Sequence, residues 1–342
     1  MTDLSTVVTE QTTWQAAFCR LYELDRPVVP LGTIIHWRAI ATALGMERPF
    51  TDQSALVTAD YFYQPHSPVP SAADLDAALT ADTDAAWILV PVLRPSAAAW
   101  ELAERGFVDL PWFVEAEYRV RDGVDQDLRA QLGSDRYRTL RRMVRRVGEH
   151  YAWQAYTGES LTPDVWRSFD RLHRLNIERY GHSRNHFGGA VLNVLSTSPL
   201  AHSLCVFRFE RRTDGVPVQA VLAIRDGDHV RLLVGGIDHA TVPSAHNLYA
   251  AGYYATYQWG ATHGIRVFNL GRGAPIDKLN AGANHFELLS NHLAPAGSQD
   301  SHDVRELRTR CLAAGRTMAE ELGRRAARRG GHIVVPAVSA HT

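Results

Sequence analysis

Residues 203–238, which read SLCVFRFERRTDGVPVQAVLAIRDGDHVRLLVGGID, decide the fold of the second half of this chain. Three runs rich in Val, Leu, Ile and Phe are separated by the turn sequences TDG and RDGD. Short apolar runs with Asp-Gly turns between them are typical of strands joined by hairpins. The stretch therefore predicts an antiparallel meander of three consecutive strands.

The segment after the meander continues with a helix, a strand and a glycine-rich loop. Residues 244–264 have helical spacing and begin at Ser244, which is a suitable N-cap. The strand IRVFNL at 265–270 runs into the loop GRGAPIDK at 271–278, and HFELLSNHL at 285–293 predicts a last strand. The predicted order is three strands, a helix, a strand, a loop and a strand.

The first 120 residues alternate between helix and strand patterns. Residues 14–44 have helical spacing interrupted by prolines, and a short helix is expected after Ser71. The apolar run at 85–93 suits a buried strand, and 96–106 suits a helix that ends on glycine. Residues 107–120 look like two more extended pieces. We therefore expect an α/β fold of the α+β type.

The composition limits the class of protein. The chain has 342 residues, of which 45% are hydrophobic and 21% charged, and its formal net charge is −1. These values predict a soluble globular protein of two domains and argue against one that coats nucleic acid through bulk charge. The three distant cysteines, the lack of a signal-peptide pattern and the lack of a long apolar run favour the cytoplasm without a membrane partner. We expect a monomer or a dimer.

A basic helix is predicted at 134–147, SDRYRTLRRMVRRV, with Ser134 or Asp135 as its N-cap. Its arginines cover most of the surface outside one narrow apolar stripe. Two interpretations stay open, a solvated helix between domains and a face that binds the phosphates of tRNA. The arginines assigned to phosphate are Arg138, Arg141, Arg142 and Arg145.

The loop at 271–278 contains the best candidate for catalysis. Lys278 is the only lysine among the 36 lysines and arginines of the chain. The backbone amides of Gly271 and Gly273 are suited to bind an anion or a developing oxyanion. Arg272 lies between them, and the N–H donors of its guanidinium match the geometry of a carboxylate or phosphate. Because Asp277 replaces the second glycine of a phosphate-binding P-loop, we exclude that motif.

The meander, the helix and the strand that ends in Gly-Arg-Gly with a following lysine resemble the Fem-like branch of the GNAT acyltransferase superfamily. Members of that branch form peptide bonds, in cell-wall bridges and in natural-product pathways, and characteristically read D-F-x-R-G-D-x-x-Y-K at this place. The matching residues here are Asn269, Gly271, Arg272, Gly273 and Lys278. The chain departs from the pattern at Asn269, Ala274, Asp277 and Ala281, and these departures bear on the acceptor more than on the fold.

The resemblance extends over residues 85–295 and implies two GNAT-like domains in tandem, each a mixed, mostly antiparallel twisted sheet flanked by helices. The implied domains are a degenerate one at 1–130 and a catalytic one at 131–322, followed by a flexible basic tail at 323–342. GNAT enzymes that use CoA hold its pyrophosphate with an R/Q-x-x-G-x-G/A loop between meander and helix. The corresponding stretch at 235–247 has no glycine after Asp238.

The resemblance therefore implies an amide-forming acyltransferase, with aminoacyl-tRNA as the donor, a small-molecule or peptide amine as the acceptor and no bound cofactor. A role in natural-product biosynthesis is expected. An acyl-CoA donor on the same fold and a non-catalytic GNAT-like binding module are the alternatives.

Each site residue has an expected role. Lys278 would stabilise the oxyanion, and Arg272 would orient a substrate carboxylate or phosphate. Asp277 would hold the lysine or take the proton of the amine, with a simple turn residue as the competing interpretation. His182 and His186 lack a third ligand, so no metal is expected. The residues assigned to substrate binding are Asn269, Gly271, Gly273, Tyr180, His186, Asn247 and Tyr253.

Overall fold

A computed structural model describes residues 28–30, 37–46, 53–58, 71–80, 85–94, 96–180, 185–296, 302–329 and 333–334. The chain folds into two compact units. The first contains the described residues within Met1–Val114 and Glu287–Glu321, and the second those within Glu115–Phe286 and Leu322–Val335. The predicted domain boundaries at 130 and 322 divide the chain differently, because residues 115–130 group with the second unit and 287–321 group with the first.

The elements of the chain follow one another as strands and helices in alternation. Up to Arg119 they are β1 (Val28–Pro30), α1 (Trp37–Ala43), β2 (Ser54–Val57), α2 (Ala72–Thr80), β3 (Trp87–Leu93), α3 (Ala97–Glu104) and β4 (Val108–Arg119). The next are α4 (Val124–Leu132), α5 (Ser134–His150), β5 (Tyr151–Thr157), α6 (Pro163–Arg179), α7 (Gly189–Thr197), β6 (Leu204–Arg211), β7 (Pro217–Asp226) and β8 (His229–Ile237). The last are α8 (Leu248–Thr262), β9 (Val267–Arg272), α9 (Pro275–Asn280), β10 (His285–Pro295) and α10 (His302–Ala327).

The first unit has the strand order β1-β2-β3-β10. The β2 and β3 strands are parallel, and the other two pairs are antiparallel. A core cluster joins α2, α3 and β3, with Leu75, Ile88, Val90 and Leu102 nearly inaccessible to solvent. Apolar burial of this kind holds the short helices on the sheet.

Several predicted boundaries in the first unit are confirmed. Helix α2 begins directly after Ser71, and the side chain of Ser96 caps α3 by accepting a hydrogen bond from the Ala99 amide at 3.3 Å. Within the helix predicted at 14–44, the described residues form β1 and α1, so Val28–Pro30 is a strand. The rest of that predicted helix lies outside the described residues.

The second unit has the strand order β4-β9-β8-β7-β6-β5. The predicted meander is confirmed as β6, β7 and β8, which pair antiparallel in sequence order. β9 pairs parallel to β8 and antiparallel to β4. Each unit thus has a mixed, mostly antiparallel sheet flanked by helices, as the predicted fold class requires.

Three predicted elements of the second unit differ from the structure. The two extended pieces predicted at 107–120 form one continuous strand, β4, which Pro111 does not interrupt although it is buried within it. Helix α8 begins at Leu248 with Asn247 as its N-cap, so the prediction of Ser244 as the cap was wrong. Helix α5 is capped by Gly133, one residue before the predicted cap.

The chain beyond residue 322 was predicted to be a flexible tail. Helix α10 instead continues to Ala327, and Val334 forms a parallel β-bridge with His285. The Val334 amide donates to the Asn284 carbonyl at 3.1 Å, and the Phe286 amide donates back to the Val334 carbonyl at 2.9 Å. These backbone hydrogen bonds attach the described part of the tail to the second unit.

Two neighbouring strands diverge in the second unit. β8 and β9 pair only over His229–Arg231 and Val267–Asn269, although β8 continues to Ile237 and β9 to Arg272. Helix α6 approaches β8 so closely at Gly236 that a Cβ atom there would lie 2.1 Å from the Leu172 carbonyl oxygen. The divergence leaves space beside the carboxyl end of β9.

Candidate active site

A cavity of about 680 Å³ occupies that space in the second unit. Strands β5 to β9 supply its floor, and α8 contributes the residues Tyr249, Gly252, Tyr253 and Thr256. These four lie three and four positions apart, so they form a single face of the helix. The turn after β9 contributes Arg272, Gly273, Ala274 and Lys278. A pocket of this size accommodates a small-molecule or aminoacyl ligand.

Lys278 lies on α9 and is 5% exposed. Its ammonium donates a hydrogen bond of 2.8 Å to the Arg272 carbonyl oxygen. Burial lowers the pKa of Lys278 to about 7, with the Glu115 charge raising it and the Arg272 charge lowering it further. The side chain therefore exchanges a proton near neutral pH, which is the property expected of an acid or base in catalysis.

The turn between β9 and α9 depends on left-handed backbone. Gly271 and Gly273 have φ of 76° and 77°, and Ala274 has φ of 43°. A residue with a side chain rarely adopts this region, so the two glycines permit the turn and Ala274 is strained. The sequence predicted a loop from Gly271 to Lys278, whereas β9 extends through Arg272 and Lys278 belongs to a helix.

Asn269 fixes the start of the turn. Its Oδ1 atom accepts a hydrogen bond of 2.8 Å from the Gly271 amide. That amide is consequently engaged within the protein and not directed at a ligand. Asn269 is 5% exposed and acts on the turn, while the lining of the cavity starts at Leu270.

Glu115 is an acidic neighbour of Lys278 that sequence reasoning missed. It lies on β4 in register with Arg272 on β9, and it is 3% exposed. Asp277, the acid assigned to this role, is exposed on α9 and does not line the cavity. Adjacent helix residues point about 100° apart, so Asp277 and Lys278 face different surroundings. Buried acids on a neighbouring strand leave no signal in local sequence spacing.

The remaining predicted substrate residues divide into two groups. Tyr180 and Tyr253 line the cavity. Asn247 accepts a hydrogen bond of 3.1 Å from the Ala250 amide and thus caps α8, outside the cavity lining. His186 lies in the turn before α7 and is likewise not part of the lining. His182 lies outside the described residues.

The arginines of α5 also differ from one another. Arg141 donates to both carboxylate oxygens of Asp125 at 3.1 Å and to the Tyr254 hydroxyl, so its charge is used within the unit. Arg138 pairs with Asp135 on the exposed surface. Arg142 and Arg145 are exposed to solvent. Of the four arginines assigned to phosphate, Arg142 and Arg145 are therefore the best placed to meet an external one.

Neither a reactive thiolate nor a metal site accompanies the cavity in the described part of the chain. Burial raises the pKa of both the Cys205 and Cys311 thiols to about 12, so neither provides a thiolate near neutral pH. No group of three His, Cys, Asp or Glu side chains in the described ranges could hold a metal ion. Among the helices that the structure describes, none is long and apolar enough to cross a membrane.

A protein-family model matches most of the second unit. Residues 134–279 match the family model described as an acetyltransferase (GNAT) domain. The predicted resemblance of this part of the chain to the GNAT superfamily is thereby confirmed. The match ends one residue after Lys278, so it includes the whole meander and the cavity described above.

Three of the solved structures that are similar to this chain are L-PGS, FemX and a tandem GNAT protein. L-PGS from Bacillus licheniformis is 12% identical with a TM-score of 0.48, over 66% of this chain and 72% of that chain. FemX is 11% identical with a TM-score of 0.47, over 83% and 95%. A tandem GNAT protein from the clavulanic acid biosynthesis pathway is 12% identical with a TM-score of 0.39, over 64% and 66%. No curated protein sequence matches this chain.

Proposed function

We propose that the second unit transfers an aminoacyl group from aminoacyl-tRNA to the amine of a small-molecule or peptide acceptor. The observation that carries this proposal is the position of Lys278, buried at the carboxyl end of β9 and lining the cavity. A single titratable cation beside a cavity of this size suits the stabilisation of a tetrahedral oxyanion.

The reaction balances without a covalent enzyme intermediate. The nitrogen of the acceptor amine attacks the ester carbonyl carbon of the donor, a C–N bond forms, and the C–O bond to the terminal ribose breaks. The proton lost by the amine ends on the ribose oxygen. Lys278 as an ammonium stabilises the oxyanion, and a pKa near 7 allows it to deliver a proton to the leaving oxygen.

The segment between β8 and α8 supports a donor other than CoA. The Ala240 amide donates to Asp238 Oδ1 at 3.2 Å, and the Thr241 amide donates to the Asp238 carbonyl at 3.2 Å. The Asn247 side chain accepts a hydrogen bond from the Ala250 amide at the start of α8. A pyrophosphate needs free amides at this place. These amides are already hydrogen-bonded within the protein, and the Asp238 carboxylate lies among them. Both facts disfavour CoA bound in the usual manner.

The test is a donor screen with the full chain. A pool of charged tRNAs labelled in the amino acid is compared with a panel of acyl-CoA thioesters, each against a mixture of amines, amino acids and dipeptides. We expect labelled amide from charged tRNA, and its loss after ribonuclease treatment of the donor. Products from acyl-CoA that resist ribonuclease would overturn the tRNA donor and favour the CoA alternative.

Lys278→Ala serves as the catalytic control in the same screen. We expect a loss of at least about 100-fold in turnover, the range for removing one oxyanion donor. Unchanged turnover in this variant would overturn the assigned mechanism. Product formation by wild type and not by Lys278→Ala excludes the non-catalytic binding module.

A further inference from the structure

The cavity has a charged end and an aromatic end. Arg272 and Lys278 lie at the charged end, on and after β9. Trp153 on β5 is opposite Phe209 on β6, and Phe209 is opposite Gln219 on β7. Neighbouring strands are about 4.8 Å apart, so β7 and β6 lie about 10 Å and about 14 Å from β9 across the sheet.

We name the aromatic end the aromatic compartment. It is formed by Trp153, Phe207, Phe209, Gln219 and Gly252. The Trp153 and Phe207 rings are stacked with centroids 5.6 Å apart. Stacked rings present flat apolar surface, which favours contact with another ring.

Gln219 places one polar group in this apolar setting. The residue is 3% exposed, and its Oε1 atom has no hydrogen-bond partner among the residues that the structure describes. Leaving a buried acceptor without a donor costs roughly 1 to 3 kcal/mol. A bound group with an N–H or O–H at its edge would remove this cost.

The charges of the cavity restrict what can enter. Its lining residues in the described chain include the cations Arg272 and Lys278 and no aspartate or glutamate. A ligand side chain that ends in an ammonium or guanidinium would lose its hydration without gaining a carboxylate partner. The two lining cations and the lack of a lining carboxylate among the described residues therefore disfavour a cationic group in this cavity.

Gly252 leaves room on the helical side of the compartment. A Cβ atom at this position would lie 3.5 Å from Phe209 Cε2 and 3.6 Å from Gln219 Oε1, which is ordinary contact distance. Glycine inside a helix costs about 1 kcal/mol relative to alanine. The position tolerates a methyl group, and the absence of one enlarges the space beside Gln219.

We infer that the aromatic compartment binds an uncharged aromatic group carrying a hydrogen-bond donor, such as a phenol or an indole, on one of the two substrates. The identity of the two substrates rests on the proposed function, whereas the compartment is argued from the geometry of the cavity alone. The group is supplied either by the acyl donor or by the amine acceptor. The same ring chemistry serves in both cases.

Binding is tested first, without turnover. The probes are the N-acetyl amides of tyrosine, tryptophan, phenylalanine, alanine and lysine, measured by calorimetry or ligand-detected NMR on the full chain. We expect the tyrosine and tryptophan probes to bind at least about tenfold more tightly than the lysine and alanine probes. Equal binding of the lysine and tyrosine probes would overturn the inference.

Two variants locate the bound group. Gln219→Leu removes the amide and is expected to abolish a roughly tenfold preference for the tyrosine over the phenylalanine probe. Gly252→Ala is expected to weaken the tryptophan probe about tenfold and leave the alanine probe unchanged. Gly148→Ala on α5, where a Cβ meets nothing within 4 Å, is the matched control. Unchanged ratios in both variants contradict the assignment, and Gly252→Ala keeps the test valid if Gln219→Leu does not fold.

Transfer assays then identify the source of the ring. In one arm the acyl group varies among tyrosyl, tryptophanyl, phenylalanyl and alanyl with one amine, and in the other the amine varies with one acyl group. Discrimination in either arm that Gly252→Ala reduces supports the inference. Probe binding with the expected ratios but no transfer from any donor would overturn the proposed function alone.

Discussion

The Lys278 ammonium donates its 2.8 Å hydrogen bond to the backbone carbonyl of Arg272 and not to a carboxylate. A neutral carbonyl stabilises the ammonium less than a carboxylate does, and the surrounding burial disfavours charge. The pKa of Lys278 therefore falls to about 7. The lysine is held in place at the cavity while remaining able to lose its proton.

The pH dependence of kcat/KM tests which form of Lys278 acts. If the ammonium stabilises the oxyanion, the activity contributed by this residue is present below pH 7 and declines as the pH rises through about 7. Deprotonation of the acceptor amine acts in the opposite direction, so a bell-shaped profile is expected. Steady-state kinetics from about pH 5.5 to about pH 9 measure both limbs.

Lys278→Arg is the matched variant for this profile. Guanidinium keeps its charge throughout the range, so we expect weaker activity whose descending limb near pH 7 has disappeared. A wild-type profile that rises through pH 7 and reaches a plateau would instead identify neutral Lys278 as a base.

Removal of the buried amine should stabilise the protein. The folded pKa of Lys278 lies below its ordinary value of 10.5, so the unfolded chain binds the additional proton between about pH 7 and 10.5. The free energy of unfolding consequently rises with pH across this window. The destabilisation caused by burying the charged Lys278 side chain has its full size below pH 7. We expect Lys278→Met to raise that free energy by a few kcal/mol at pH 6, at about 1.4 kcal/mol per pKa unit.

The advantage of Lys278→Met should shrink steadily as the pH approaches 10.5. Urea unfolding at about pH 6, 8 and 10 measures the difference. A constant difference over this range would contradict the lowered pKa, because only a titrating group changes stability with pH.

The two glycines of the turn should respond differently to alanine. Both have positive φ, which costs roughly 1 to 2 kcal/mol for a residue with a Cβ. At Gly271 the Cβ would also lie 3.3 Å from the Leu232 carbonyl oxygen, whereas at Gly273 nothing lies within 4 Å. Gly271→Ala should therefore lower stability and turnover more than Gly273→Ala does.

Thermal unfolding and kcat of the two alanine variants provide the comparison. In thermal unfolding, Gly273→Ala is the control for backbone strain, because its added Cβ atom meets nothing within 4 Å. Equal losses in both variants would mean that the close contact with the Leu232 carbonyl adds nothing to the cost of the positive φ.

Exposed arginines of α5 give a test of tRNA binding. The double variant Arg142→Ala, Arg145→Ala removes two exposed cations and should weaken tRNA binding uniformly, with a salt slope smaller by about 2. The free energy of unfolding should change by less than about 0.5 kcal/mol. Filter binding at several salt concentrations measures the slope.

Arg167→Ala on α6 is the control, since Arg167 is also exposed and belongs to another helix. An effect on tRNA no larger than that of Arg167→Ala would favour the solvated-helix interpretation of α5. Arg141→Ala is expected to act on stability, because it also removes the contacts with Asp125 and Tyr254.

Local patterns in the sequence predicted the elements around the site. The Asp-Gly turns predicted β6, β7 and β8, and Thr162 with Pro163 predicted the start of α6. The Gly-Arg-Gly stretch and the lone lysine drew attention to Lys278 before its burial was known. Turn chemistry and helix capping act over a few residues, so they are readable in sequence.

Contacts between distant segments could not be predicted in this way. Asn247 was assigned to substrate, but its side chain caps α8, because the start of that helix depends on packing of Leu248 and Ala251 into the core. Gln219 and Glu115 were missed, since each becomes part of the site only through a strand register.

The sequence alone determined the meander, the glycine-permitted turn and the identity of the one lysine. The tertiary structure decided the environment of that lysine: burial at the end of β9, a carbonyl partner six residues away, and the charge of Glu115 from a strand more than 150 residues earlier in the chain. The physical reason is that a pKa and a cavity arise from desolvation and from charges brought together by folding. Neither is a property of residues considered in sequence order.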